Sequence, residues 1–571
     1  MPANLRFAPR RTELEKRKDG TMVLRSPEKL GTSVRCIGEW LVHWATREPQ
    51  RLFLCERRGE GWRKLSYLDT YGAVRRIGQA LLDMDLGAER PLAILSDNSV
   101  DHALLMLGAM HVGIPVAPVS PAYSLMSKDF GKLKAIFELV KPGAVWTSDV
   151  QKFAPALEAV KASSISIEKL LETNPGSTLE REFGKVKPSS LAKILFTSGS
   201  TGTPKGVINT HGMLTANQQQ LAQAWPFVED RPPVVVDWLP WNHTFGGNHN
   251  FNLVLRNGGT LYVDGGKPMP GLVETTVKNL KEVSPTLYFN VPRGFDLLLP
   301  CFEKDADLRA SFYRDLDVLF YAAAALPQNL WDRLQALAER EGRKPAMLSA
   351  WGSTETSPLA TSVHFRMERP GIIGLPVPGC ELKLVPAAGK LEVRVRGPNI
   401  TPGYYRRDDL TKAAFDEEGF YRIGDAVKLA DADDPSRGVV FDGRVAEDFK
   451  LTSGTWVHVG AVRVKLIAAG DPLIQDAVIT GHDRDEIGAL LFLSPAAKDV
   501  DLAERLSQVL KSFSEEASSM RVSRVMVMSE PPSIDANEIT DKGYMNQRAV
   551  LERRAALVEK LYASAEKVLF A

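Results

Sequence analysis

A chain of 571 residues is too long for one ordinary core, so two or more domains are expected. With 44% hydrophobic and 25% charged residues it reads as soluble and globular. Lys+Arg 71 against Asp+Glu 70 leave a formal net charge of +1, no field to draw in nucleic acid or an anionic membrane.

Residues 1–34 are polar and charge-rich and are expected to run extended over the surface. The opening charges have no apolar core behind them, unlike a secretory signal. Helical spacing of apolar residues over 67–86, a strand at 90–95, a helix over 103–112 and a strand at 115–118 then set up a βα rhythm and a parallel sheet. The long apolar stretch 103–119 is broken by Gly108, His111, Gly113 and Pro115. It predicts a buried helix running into a strand, not a membrane span. The rhythm continues at 143–146, 234–239, 259–263 and 286–289. Beyond about Pro376, alternating apolar and charged residues such as 390–396 predict antiparallel strands with one wet face. After Gly443-Arg444 come compact strands, an amphipathic helix over 502–513 and a helical, charged segment over 546–570, enough for a small separate domain. Four scattered cysteines, Cys36, Cys55, Cys301 and Cys380, lack metal-ligand or redox spacing and fit a reducing cytoplasm.

The most informative stretch is Leu195-Phe-Thr-Ser-Gly-Ser-Thr-Gly-Thr-Pro-Lys-Gly-Val207. An apolar run ends in small hydroxyl and glycine residues, as a buried strand does when it enters a phosphate-binding turn. Gly199, Gly202 and Gly206 let the backbone approach a polyanion. Thr197, Ser198, Ser200, Thr201 and Thr203 offer hydroxyl donors, and Lys205 adds a full positive charge, so the loop matches a triphosphate. Pro204 before the lysine and Gly206 after it exclude a Walker loop.

The decamer 197–206 resembles the signature of the adenylate-forming superfamily of acyl-CoA synthetases, adenylation domains and luciferases. The resemblance covers nearly the whole chain from about Trp40. It implies an α/β fold with a large N-terminal domain of parallel-type sheets and helices plus a β-rich subdomain, followed by a small mobile C-terminal α+β lid. The corresponding division is an N-terminal extension 1–34, a large domain 35–443, a hinge 444–447 and a lid 448–571.

Further residues take roles from the same resemblance. In Ala350-Trp-Gly-Ser-Thr-Glu355, Trp351 stacks on adenine, Thr354 bonds the α-phosphate and Glu355 holds Mg²⁺, as a flat apolar face suits a purine and carboxylate oxygen suits a hard cation. Asp425, in Tyr421-Arg-Ile-Gly-Asp425, takes the ribose hydroxyls, with Arg444 adding a second contact. His243 and Phe245, in Trp241-Asn-His-Thr-Phe-Gly246, line the acyl tunnel with Pro292, Ala323 and Gly352, a flat slot suited to a planar aryl acid. The segment 321–327 resembles the one flanking the nucleotide base, with alanines where glycines are common.

The lid carries the departures. The hinge position usually held by Asp or Lys is Ala446. Lys450 falls where several relatives keep a lysine for the thioester step, and Gly454 matches the glycine beside which pantetheine threads. The family's C-terminal catalytic lysine is replaced by Tyr544, which leaves Lys542, shifted by two, to neutralise charge during adenylation. Segments 443–457 and 538–548 are similar to those of bacterial feruloyl-CoA synthases and aryl-CoA ligases. The implied enzyme is an AMP-forming carboxylate:CoA ligase using ATP, Mg²⁺ and CoA on a small carboxylic acid such as ferulate, with a homodimer left open. Ligases for other aryl or fatty acids, a carrier-protein-loading enzyme and a non-catalytic nucleotide- or acyl-binding protein remain as alternatives.

Overall fold

The computed structural model describes residues 5–198, 203–267, 269, 271–387, 389–498, 500–540 and 545–571. The first sheet has the strand order Ala144–Thr147, Leu92–Leu95, Val116–Val119, Leu191–Ser198, Pro204–Thr210, and its first three strands are buried along their whole length. The first four run parallel, and the last pairs antiparallel with Leu191–Ser198. Between the strands lie capped helices. Ser66 and Asp69 form a reciprocal capping box on Tyr67–Asp83, and Ser99 caps Val100–His111. That second helix and strand Val116–Val119 are the long apolar stretch of the sequence. Among the described residues no helix is long and apolar enough to cross a membrane.

An eleven-stranded sheet carries the site. Strands Leu287–Asn290, Val318–Tyr321 and Ala346–Gly352 are parallel to one another. Ala346–Gly352 then pairs antiparallel with Leu359–Ser362, and the sheet continues antiparallel through Ile372–Pro376, Val439–Arg444, Tyr421–Leu429, Lys390–Arg396 and Glu381–Ala387. Ala346–Gly352 is therefore the strand at which the sheet changes sense.

Two expectations are corrected. The lead-in expected over 1–34 does not simply lie on the surface where it is described, because Glu13–Lys16 and Met22–Arg25 add two strands to the edge of the large sheet. Met22–Arg25 pairs with Glu381–Ala387, and the apolar Val23 and Leu24 are buried there. The segment 546–570 is not one helix. It breaks at Arg554 into Gln547–Arg553 and Ala555–Ala563, and Val568–Phe570 is a strand parallel to Val522–Val527. At the break the buried Arg554 guanidinium makes two hydrogen bonds, at 2.6 and 2.9 Å, to the fully buried Glu538.

The C-terminal part has its own four-stranded sheet, in the order Ile474–Thr480, Ile487–Leu493, Val522–Val527, Val568–Phe570, and its own apolar cluster. Among the described residues it meets the rest of the chain beside the hinge and near residues 127–132. Beside the hinge, Lys390 forms a buried ion pair with Asp448, which also faces His458 at 3.0 Å. At the other end, Asp535 accepts from Ser127 Oγ at 2.7 Å and from the Lys128 amide at 3.1 Å, while Lys132 Nζ donates to the Ile534 carbonyl at 2.5 Å.

Candidate nucleotide and acyl site

The phosphate-loop hairpin is built by strands Leu191–Ser198 and Pro204–Thr210, with Thr197 and Lys205 facing each other in register and Ser198 opposite Pro204. Gly199, Ser200, Thr201 and Gly202 at its tip, and Lys542 in the lid, lie outside the described residues. Thr203 is exposed where the chain returns. Residues 401–405 lie along the second strand: the Ile208 amide donates to Gly403 O at 3.2 Å and the Tyr405 amide to Gly206 O at 2.7 Å. This delivers Tyr404 beside Lys205, whose ammonium stands 5.2 Å from the Tyr404 ring centroid.

Tyr404 also reaches the second motif. Its hydroxyl donates to Glu355 Oε1 at 3.1 Å and contacts the Tyr421 hydroxyl at 3.2 Å. Burial pushes the Tyr404 phenol up, and the Glu355 carboxylate pushes it further, so it stays a donor. Glu355 and Thr354 are both buried in the short turn Thr354–Thr356, whose Glu355 amide is capped by Ser353 Oγ at 3.2 Å. Gly352 precedes this turn, and a Cβ there would stand 1.9 Å from the Pro358 carbonyl oxygen. Only glycine permits so close a return of the chain.

Trp351 and Asp425 meet across the sheet. The indole Nε1 donates to Asp425 Oδ2 at 3.0 Å, and the Arg444 Nε lies 3.5 Å from Oδ1. Asp425 and Arg444 are register partners on adjacent antiparallel strands. Burial pushes the Asp425 carboxyl up, opposed by Arg444. Its Oδ1 is buried with no hydrogen-bond partner. A buried oxygen left in this state is costly, and a ligand hydroxyl would satisfy it. The residues therefore fit a nucleoside at this position.

On the acyl side, Asn290, Tyr321 and Ser349 are in register on the three parallel strands. Pro292 and Ala323 follow two residues beyond the ends of the first two strands, Pro292 opening a helix, while Trp351 and Gly352 close the third strand. Ala323 is held at φ +74°, a conformation that favours glycine, where the sequence resemblance noted alanines. His243 is buried, and its carbonyl accepts from the Gly247 amide at 2.8 Å. It leads into a π-helical turn, Phe245–Asn250, a local form that occurs often at functional sites. Phe245 packs edge-on to Phe320, with ring centroids 5.7 Å apart.

Two members of this region were not singled out from the sequence. Lys193, fully buried in strand Leu191–Ser198, donates to the Gly247 carbonyl at 2.7 Å and to Asn248 Oδ1 at 3.2 Å, and burial pulls its pKa down to about 7. His249 sits among aromatic rings beyond Phe245. A lysine inside an apolar run and a histidine three residues past a Phe-Gly pair were the available signals.

Lys450 and Gly454 are not brought into this cluster. They belong to the small ribbon Phe449–Lys450 with Trp456–Val457. There the exposed Lys450 lies 5.0 Å from the Trp456 ring centroid, and Gly454 is exposed at φ +81°. A cleft between large domain and lid is lined by Lys132, Thr203, Pro204, Asp535 and Asn537. It opens beside the phosphate hairpin.

The fold and site together define an α/β nucleotide-binding protein with a large sheet domain and a smaller C-terminal domain. Residues 41–405 match the model of the AMP-binding enzymes, and residues 458–566 match that of the AMP-binding enzyme C-terminal domain. The chain belongs to the AMP-binding enzyme family. Among curated relatives, a probable CoA ligase CCL8 of Humulus lupulus is 25% identical over 414 residues, covering 68% of this chain and 63% of its own length, just under two thirds. The long-chain-fatty-acid–CoA ligase ACSBG1 of Mus musculus is 26% identical over 511 residues, 76% of this chain and 68% of that protein. A solved structure of the anthranilate CoA ligase AuaEII in complex with anthranoyl-AMP shares the fold with TM-score 0.73 at 19% identity, covering 93% of this chain and 99% of that one.

Proposed function

We propose that the protein is an AMP-forming carboxylate:CoA ligase whose substrate is an aromatic acid of the hydroxycinnamate type, ferulate among them. The observation that carries the adenylating half of this reading is the Trp351–Asp425 pair, with its unsatisfied buried oxygen, where Trp351 lies on the strand that leads into the turn bearing Thr354 and Glu355. A carboxylate oxygen of the acid attacks the α-phosphorus of ATP, forming the mixed anhydride and expelling pyrophosphate. The CoA sulfur then attacks the acyl carbonyl, the thiol proton passes to solvent and AMP leaves.

Lys205, Thr197 and Thr203 are assigned to the leaving phosphates and Thr354 to the α-phosphate. Trp351 offers its face to adenine, and Asp425 with Arg444 orients the ribose. Mg²⁺, when bound, would be held by Glu355 and would neutralise phosphate charge. Lys542 is assigned to the charge between carboxylate and α-phosphate, and Lys450 and Gly454 to the thioester step after the lid turns about 444–447. Hinge residues need only absorb a backbone rotation, which Ala446 can do.

The aromatic preference is supported by the rings of Phe245, Phe289 and Phe320, whose centroids lie 5.3 to 5.7 Å apart from Phe320. AuaEII, the fold relative, holds an anthranoyl adenylate. ACSBG1, a ligase of long-chain fatty acids, makes a fatty acid the second reading. Acid-dependent ATP–pyrophosphate exchange with ferulate, coumarate, benzoate, salicylate and octanoate, followed by thioester formation with CoA, tests the assignment. Exchange with octanoate alone would replace the aryl reading, and no exchange with any acid while ATP still binds would remove the enzymatic one.

A further inference from the structure

His249 belongs to the π-helical turn Phe245–Asn250 and packs against the strands that end at Asn290 and Tyr321. It stacks on Phe320 at a centroid distance of 5.3 Å and meets Phe289 and Phe245 edge-on at 5.4 and 5.9 Å. Phe289 and Phe320 are register partners one residue before the ends of their strands. The imidazole is thus fully enclosed, beyond the half-buried Phe245.

Its tautomer follows from its neighbours. Asn250 Nδ2 donates to Asp237 Oδ2 at 3.1 Å, so Asn250 Oδ1 is left as an acceptor. That oxygen is 2.9 Å from His249 Nδ1, which must therefore carry the proton. Nε2 then presents a lone pair. It is buried and has no hydrogen-bond partner. Burial pulls the imidazole down to about 4, so the ring is neutral near pH 7 and Nε2 is an acceptor there. An enclosed acceptor in an otherwise aromatic surrounding is expensive unless something donates to it. Side chains of Phe245, Phe289 and Phe320 have no such donor, and the indole N–H of Trp225, whose ring meets His249 edge-on at 6.4 Å, is engaged by the Val363 carbonyl at 2.9 Å.

We infer that His249 is a specificity-determining residue that accepts a hydrogen bond from a hydroxyl at the non-reacting end of the acyl group, which makes a hydroxyaryl acid the preferred substrate. This rests on the acid-activating reading above. The reacting carboxylate is held at the nucleotide, so only the opposite end of the acid reaches the rings around His249. A phenolic O–H can donate to Nε2. A methyl ether or a bare C–H at the same position cannot, and leaves the acceptor unpaired.

The test is acid-dependent ATP–pyrophosphate exchange by the full-length protein with 4-hydroxycinnamate, 4-methoxycinnamate and cinnamate, and with 8-hydroxyoctanoate and octanoate. Wild type should favour the hydroxyl over the methoxy and unsubstituted acids by at least about tenfold in kcat/KM, the worth of one net hydrogen bond. H249F should shrink that ratio to within about twofold while retaining exchange with cinnamate, and H249Q, whose amide oxygen is an acceptor, should restore part of it. A wild-type ratio near one overturns the inference without any variant, so a poorly folding H249F does not protect it. A ratio that persists in H249F overturns it as well. If no cinnamate supports exchange but octanoate does, the aromatic reading falls separately, and the ratio within the octanoate pair decides for or against His249.

Discussion

Tyr404 donates to Glu355 at 3.1 Å from a position 49 residues further along the chain, and the same ring lies under the Lys205 ammonium at 5.2 Å. One side chain thus links the phosphate hairpin to the turn that follows strand Ala346–Gly352. The hydroxyl orients the carboxylate and the ring face supports the cation. Both functions can be separated by substitution.

Y404F keeps the ring and loses the donor, and Y404A loses both. Adenylate formation should slow by about 10-fold in Y404F and by about 100-fold or more in Y404A, since displaced groups at a phosphate site typically cost this much. Pyrophosphate exchange at saturating acid and ATP measures it. Equal losses in the two variants would show that the ring face contributes nothing.

Asp425 offers a second separation. Its Oδ2 is engaged by Trp351, while its buried Oδ1 accepts no hydrogen bond and is the oxygen assigned to a ribose hydroxyl. D425A should raise the KM for ATP by about 10- to 100-fold. In wild type, 2′-deoxy-ATP or 3′-deoxy-ATP should show part of the same loss, and in D425A the deoxy penalty should disappear. A deoxy penalty unchanged by D425A would move the ribose elsewhere.

The motifs at 350–355 and 421–425 were legible because their residue types are chemically particular and their spacing is local. Their pairing was not. Trp351 and Asp425 are 74 residues apart and meet only because the strands that carry them lie in one sheet. Tyr404 follows a Pro-Gly pair, and nothing in that pair says which carboxylate the phenol will reach. Lys193 reads as the polar start of an apolar strand, since a lysine is rarely buried without a carboxylate. The π-helical turn at Phe245–Asn250 departs from the 3.6-residue period, so periodicity does not mark His249 as facing the same rings as Phe245. The strands at 13–25 are short, charged and flanked by turns, and only tertiary pairing with Glu381–Ala387 makes them part of the sheet.

Lys193 gives a pH signature. Its pKa falls from 10.5 to about 7 through burial. Between these values the unfolded chain binds more protons than the folded one, so stability rises with pH across the window, and the full cost of the buried charge is felt below about 7. In K193M this contribution is absent. Denaturant unfolding at pH 7.5, 8.5 and 9.5 should show wild type gaining on K193M by up to about 1.4 kcal/mol per pH unit. Parallel pH dependence in the two proteins would mean that Lys193 ionises as in water. K193M should also raise the KM for the acid more than that for ATP, because the ammonium holds the Gly247 carbonyl of the turn that bears Phe245.

The lid contacts separate the two half-reactions. Asp535 ties the lid to Ser127 and Lys128 next to the phosphate hairpin, and its neighbour Ile534 is held by Lys132. If this orientation serves adenylation, D535A should slow acyl-adenylate formation by about 3- to 10-fold, the worth of one or two exposed hydrogen bonds. Thioester formation from a supplied acyl-adenylate should be unchanged or faster, because that step requires the lid to leave. K542A should reduce adenylate formation by more than about 100-fold and spare the thioester step. Single-turnover measurements of both half-reactions decide between the roles. A D535A that slows thioester formation alone would assign the observed orientation to the second step, and a K542A with equal losses in both would place Lys542 outside the adenylation chemistry.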